Sequence, residues 1–139
     1  MKQFLLAAAL LCLAVPASAV PAIVRGAAET TDGDTVTVAG LTVRLKGVDA
    51  PEQWMPGGPE ATAAMRKLVG NWLKCELTGE KTRGREVGFC RNADNVDIAE
   101  AIIKSGLALA CPRYSKRYLK FEQPQALQRL HRAPYCIER

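Results

Sequence analysis

The stretch from Asp34 to Glu52, DTVTVAGLTVRLKGVDAPE, constrains the fold more tightly than any other part of the chain. Val36 and Val38 alternate with threonines, Gly40 interrupts the run, and Leu41, Val43 and Leu45 then alternate with Thr42, Arg44 and Lys46. A period of two turns one side of each run into a core and the other away from it, a pattern that suits strands and no helix. Upstream, AIVRGAAET leads into the turn signal Asp32-Gly33, so the segment from about Ala22 to Val48 reads as three short strands. Arg44 stands on the face opposite Val43 and Leu45.

Beyond Val48 the period changes. Pro59 suits the first turn of a helix, and Ala61, Ala64, Met65, Leu68 and Trp72 recur at helical spacing. From about Leu73 to Cys90 the chain reads as a second β unit bent around TRGRE. A second helix is expected from Ile98 to Ser105, with Asp97 as N-cap, Glu100 at its third position and Gly106 as the stop. The segment YSKRYLKFEQPQALQRLHRA suggests a third helix, with Tyr118 and Phe121 directed to the core and His131 to the surface. Pro124 either kinks that helix or divides it into two pieces. Three strands, a helix, two strands and two helices is the order of an α+β chain built on a five-stranded antiparallel OB-fold barrel with three helices.

The N-terminus carries a different signal. Lys2, the apolar run Phe4–Val15 and Ala17-Ser18-Ala19 form the pattern of a cleaved secretory signal peptide over residues 1–19. The expected products are an exported protein, periplasmic or extracellular, and a single domain over residues 20–139. No other long apolar run suggests a membrane span. Losing Lys2 leaves 18 basic against 14 acidic residues, a net charge of +4, which favours anionic partners. Four cysteines remain, Cys75, Cys90, Cys111 and Cys136, an even number suited to an oxidising compartment. Their wide spacing and the single histidine do not suit zinc. Of three connectivities, Cys75–Cys90 with Cys111–Cys136 is expected, because the first pair flanks the second β unit as cross-strand neighbours.

Five short motifs then narrow the chemistry. TDGDTVTV, VRLKGVDAPE, GPEA, RGRE and AEAIIKSGLALA, in that order, resemble the thermonuclease or staphylococcal nuclease-like family from about Thr31 to Ser115. The resemblance implies an OB-fold nuclease that hydrolyses phosphodiester bonds of DNA and RNA, depends on calcium and leaves 3′-phosphorylated products. It implies that Asp34, Asp49 and the Ala50 carbonyl hold Ca2+, that Glu52 activates water, and that Arg44 and Arg85 contact the scissile phosphate. Tyr114 and Arg83 fall on substrate-binding positions, and a monomer is expected.

These residue types suit such chemistry on physical grounds. A hard cation takes oxygen ligands, and guanidinium forks match the oxygens of a phosphate whose charge grows during displacement. The family pattern is altered around the nucleotide. Ala50 stands where threonine is common, Thr82 where lysine is, and Arg83 and Pro112 where tyrosines are. Basic residues Lys81, Arg83, Arg113, Lys116, Arg117 and Lys120 surround Tyr114, in a composition that grips single strands. The alternative from another class is an OB-fold module that binds nucleic acid or another polyanion without cleaving it.

Overall fold

The computed structural model of the protein describes residues 22–138; the leader segment read from the sequence lies outside them. Strands β1 (Ile23–Thr30), β2 (Thr35–Val38), β3 (Leu41–Leu45), β5 (Trp72–Thr82) and β6 (Arg85–Asn92) close a barrel in the order β1-β2-β3-β6-β5. Two-residue turns make two of its hairpins. Ala39 and Gly40 join β2 to β3, and Arg83 and Gly84 join β5 to β6, all four with positive φ. Positive φ at both central residues gives the turn twist that matches paired strands. The barrel is not wholly antiparallel as expected: β3 and β6 run parallel, with Arg44 opposite Val87. That seam joins strands separated by an entire helix, so no local pattern records it.

The inward faces of these strands make the core. Val36, Val38, Val43, Leu45, Leu73, Cys75 and Cys90 are buried there. Helix α1 (Gly58–Val69) covers one side with Ala61, Met65 and Val69, and α2 (Ile98–Lys104) adds Ile98, Ile102 and Ile103. Each large aliphatic side chain so buried contributes about 1.5–3 kcal/mol. Both disulfides have the expected pairing, Cys75–Cys90 across β5 and β6 and Cys111–Cys136 near the C-terminus.

Asp97 caps α2 as expected, its carboxylate accepting from the Ala99 and Glu100 N–H groups at 3.1 and 3.2 Å. The fully buried Tyr118 hydroxyl donates to the same carboxylate at 2.9 Å, tying the C-terminal segment to the helix cap. Glu100 pairs with Lys104 one turn on instead of reaching back.

Two expectations about the helices are corrected. Trp72 is not helical: α1 stops at Val69, Gly70 takes φ +60°, and Trp72 opens β5 half-buried. The third helix is not continuous from Tyr114. A 3-10 turn (Leu119–Phe121) is followed by α3 (Pro124–Arg129), in which Pro124 takes the first turn, where its missing N–H is harmless. A short antiparallel pair, β4 (Val48–Asp49) with β7 (Leu109–Ala110), has no counterpart in the sequence pattern. It brings the C-terminal part of the chain back beside Asp49.

Candidate active site

The turn between β1 and β2 packs directly against the end of β4. A Cβ on Gly33 would lie 2.6 Å from that of Ala50, so only glycine lets the turn sit there. The Asp32 carboxylate accepts the Asp34 N–H at 3.0 Å, which sets the turn and orients Asp34 inward. Asp34 Oδ2 accepts the Ala50 N–H at 3.0 Å and pairs with Arg44 Nη2 at 3.1 Å. Asp34 Oδ1 accepts the Thr35 hydroxyl at 3.3 Å, and that hydroxyl accepts Arg85 Nη1 at 3.1 Å. Asp49, buried on β4, has Oδ2 held by the Ala133 N–H at 2.6 Å.

Burial dominates the electrostatics of both aspartates. It pushes the Asp34 carboxyl up to about 7, with the Arg44 charge opposing and the Asp32 charge adding to the rise. Burial also raises Asp49, against the Ala133 N–H and the charges of Arg44 and Arg132. Both carboxyls therefore sit where negative charge is disfavoured, which a nearby cation would relieve.

A cavity of about 590 Å³ opens here, lined by Asp34, Arg44, Glu52, Arg85, Tyr114 and Tyr135 among others. Arg83 also lines it, whereas Asp49 and Ala50 are buried off its wall. Glu52 is exposed on the loop before α1 and reaches the cavity from there.

The two arginines differ. Arg44 donates Nη1 to the carbonyls of Asp34 and Leu45 and Nη2 to that of Val48, besides its pair with Asp34. Among the described residues Arg85 donates only to the Thr82 carbonyl and the Thr35 hydroxyl, leaving N–H groups available to a ligand.

Among the described residues no three His, Cys, Asp or Glu side chains come together as a metal cage. Asp34 and Asp49 offer oxygen donors of the kind a hard cation takes, and burial disfavours the charged form of each, so a cation bound beside them would stabilise their carboxylates.

Sequence reasoning missed three contributors. Thr35 links Asp34 to Arg85, and the Lys46–Glu80 ion pair lines the cavity. Tyr135 lines it as well, half-exposed in a 3-10 turn (Pro134–Cys136). Burial raises its phenol, and the charge of Asp49 raises it further. The signal for Tyr135 was its neighbour: a Cys111–Cys136 bond necessarily brings residue 135 close to Tyr114.

Residues 42–133 match the family model described as staphylococcal nuclease homologue. The match includes Arg44, Asp49, Glu52, Arg85 and Tyr114 and leaves Asp34 and Tyr135 outside it. A succinoglycan biosynthesis protein, ExoI, of Rhizobium meliloti (strain 1021) is 36% identical over 96 residues, covering 60% of this chain and 50% of that protein. A probable staphylococcal-like nuclease, CAN1, of Oryza sativa subsp. japonica is 39% identical over 88 residues, covering 61% of this chain and 26% of that protein. The staphylococcal-like nuclease CAN1 of Arabidopsis thaliana is 38% identical over 78 residues, covering 54% and 23%. The chain thus spans between about a quarter and half of the length of these relatives.

Proposed function

Because the chain belongs to the staphylococcal nuclease homologue family, we propose that it is an exported, calcium-dependent, sugar-nonspecific nuclease that leaves 3′-phosphorylated products. The observation that carries this reading is convergence. Asp34 from the β1–β2 turn, Arg44 from β3, Glu52 from the loop before α1 and Arg85 from β6 meet around one cavity. A module that only binds has no need of acidic groups beside the arginines that would take a phosphate.

In this reading Asp34 and Asp49, with the Ala50 carbonyl, hold Ca2+. Calcium there would offset phosphodiester charge and make a bound water more acidic. Glu52, exposed and lining the cavity, would orient an attacking water and take its proton. Arg85 presents free N–H groups to the phosphate as its charge grows. Arg44 acts in two ways. It holds Asp34 in place, and it exchanges part of its present partners to reach the phosphate. Tyr114 and Arg83 contact the flanking nucleotide. The two disulfides and the leader pattern support action in an oxidising compartment, periplasm or medium.

One observation favours the non-catalytic reading, the commitment of Arg44 to three carbonyls and a carboxylate. Digestion of single-stranded DNA and RNA with calcium, and again with EDTA, separates the two. Cleavage in calcium alone supports the nuclease; salt-sensitive binding with no cleavage in either supports the binding module.

A further inference from the structure

The residues from Arg132 to Cys136 form a short strap that is anchored at both ends. The Cys111–Cys136 disulfide fixes one end, and Cys136 is fully buried. The Arg113 N–H donates to the Cys136 carbonyl at 3.1 Å. At the other end the Ala133 N–H donates to Asp49 at 2.6 Å, and Arg132 Nε donates to the Ala110 carbonyl at 3.0 Å while pairing with Glu122. Pro134 opens the intervening turn, restricting it further.

Between these anchors stands Tyr135. It is 43% exposed, and it lines the cavity with Arg44, Arg85 and Tyr114. The phenol lies close enough to Arg44, Asp34 and Asp49 to feel their charges. A hydroxyl beside a guanidinium is met by a donor, so its own proton is turned toward an acceptor. An anionic oxygen entering this cavity is such an acceptor.

We propose that Tyr135 is a substrate-contacting residue: its hydroxyl donates to the phosphodiester bound beside Arg44, and the Cys111–Cys136 disulfide holds it in position to do so. The proposal rests on the nuclease reading only in taking the ligand to be a phosphodiester. Tyr135 lies beyond the residues matched to the family, so nothing in that comparison assigns it. An ordered tyrosine held by its backbone loses little further freedom on binding, which favours it as a contact.

The test is binding of a short single-stranded DNA oligonucleotide in EDTA, read by fluorescence anisotropy, alongside cleavage in calcium. Tyr135→Phe removes the hydroxyl and keeps the ring. Binding should weaken about tenfold, as for loss of a hydrogen bond to a charged group, with Tm unchanged. The double variant Cys111→Ser/Cys136→Ser should weaken binding to a similar extent, and adding Tyr135→Phe to it should change little. Binding by Tyr135→Phe within twofold of wild type overturns the contact. A full additional loss in the cysteine-free background overturns the tether. A wild-type protein that binds without cleaving refutes the nuclease reading while the contact is still judged by Tyr135→Phe. One that cleaves in calcium without binding in EDTA keeps that reading, and the contact is then overturned by an unchanged KM in Tyr135→Phe. One that neither binds nor cleaves overturns both.

Discussion

Replacing Asp34 with asparagine removes one charge from a place that burial makes hostile to it, and the consequence should depend on pH in a defined direction. Asp34 is 9% exposed, and its carboxyl is raised from 3.8 to about 7. Such a rise corresponds to about 4 kcal/mol of lost stability once the group is ionised in the folded state. The folded value lies above the unfolded one, so this group's contribution is fully present below about pH 4 and is lost as pH climbs through about 7. Between pH 5 and pH 8, calcium-free wild type should therefore lose about 2–3 kcal/mol that Asp34→Asn keeps. The variant also has a fixed defect. Its amide cannot accept from both the Ala50 N–H and Thr35 while facing Arg44, a loss of about 1–3 kcal/mol. That term is the same at both pH values and cancels in the difference. The assay is urea unfolding of both proteins in EDTA at pH 5 and pH 8, repeated with calcium. In calcium the wild-type loss should shrink, because a ligand that prefers the ionised form stabilises it. Parallel pH dependences of the two proteins in EDTA would refute the reasoning, since they would mean that Asp34 titrates as an ordinary carboxylate.

The other expectations separate structural from chemical roles. Arg85→Lys should lower turnover about a hundredfold or more while leaving urea stability nearly unchanged, because Arg85 has few protein partners. Arg44→Ala should lose activity and also about 3 kcal/mol of stability at pH 8, because it strands the buried Asp34 charge; a variant as stable as wild type would contradict the assigned pairing. Tyr118→Phe should cost about 1–2 kcal/mol in urea unfolding with calcium-dependent cleavage intact, since its hydroxyl serves only the α2 cap.

How far the sequence reads through to this structure depends on the range of the interactions involved. The alternation over Val36–Leu45 and the Asp97 cap are local, and both appear in the fold as the residues alone imply. The Cys75–Cys90 bond follows from a hairpin and is nearly as local. Trp72 continues the helical period in its spacing, and only the positive φ of Gly70 ends the helix before it. The β4–β7 pair is two residues long on each side, too short for any periodic signal. The parallel β3–β6 seam joins residues more than forty apart in sequence, and that pairing brings Arg44 and Arg85 to neighbouring strands. Sequence motifs therefore named the residues of the cavity more readily than their arrangement. The spent donors of Arg44, the Thr35 link and the arrival of Tyr135 all depend on contacts between distant segments.

The proposed function depends on Asp34 and Asp49 holding a cation with which the cavity cleaves phosphodiesters. Its most direct test is the rate of cleavage of one defined single-stranded DNA oligonucleotide against calcium concentration, for wild type, Asp34→Ala and Asp49→Ala, with the 3′ ends of the products analysed. Wild type should show saturable, EDTA-sensitive cleavage that leaves 3′-phosphates, and both variants should need at least roughly tenfold more calcium. Cleavage that persists in EDTA, or a calcium dependence that neither substitution changes, would contradict it.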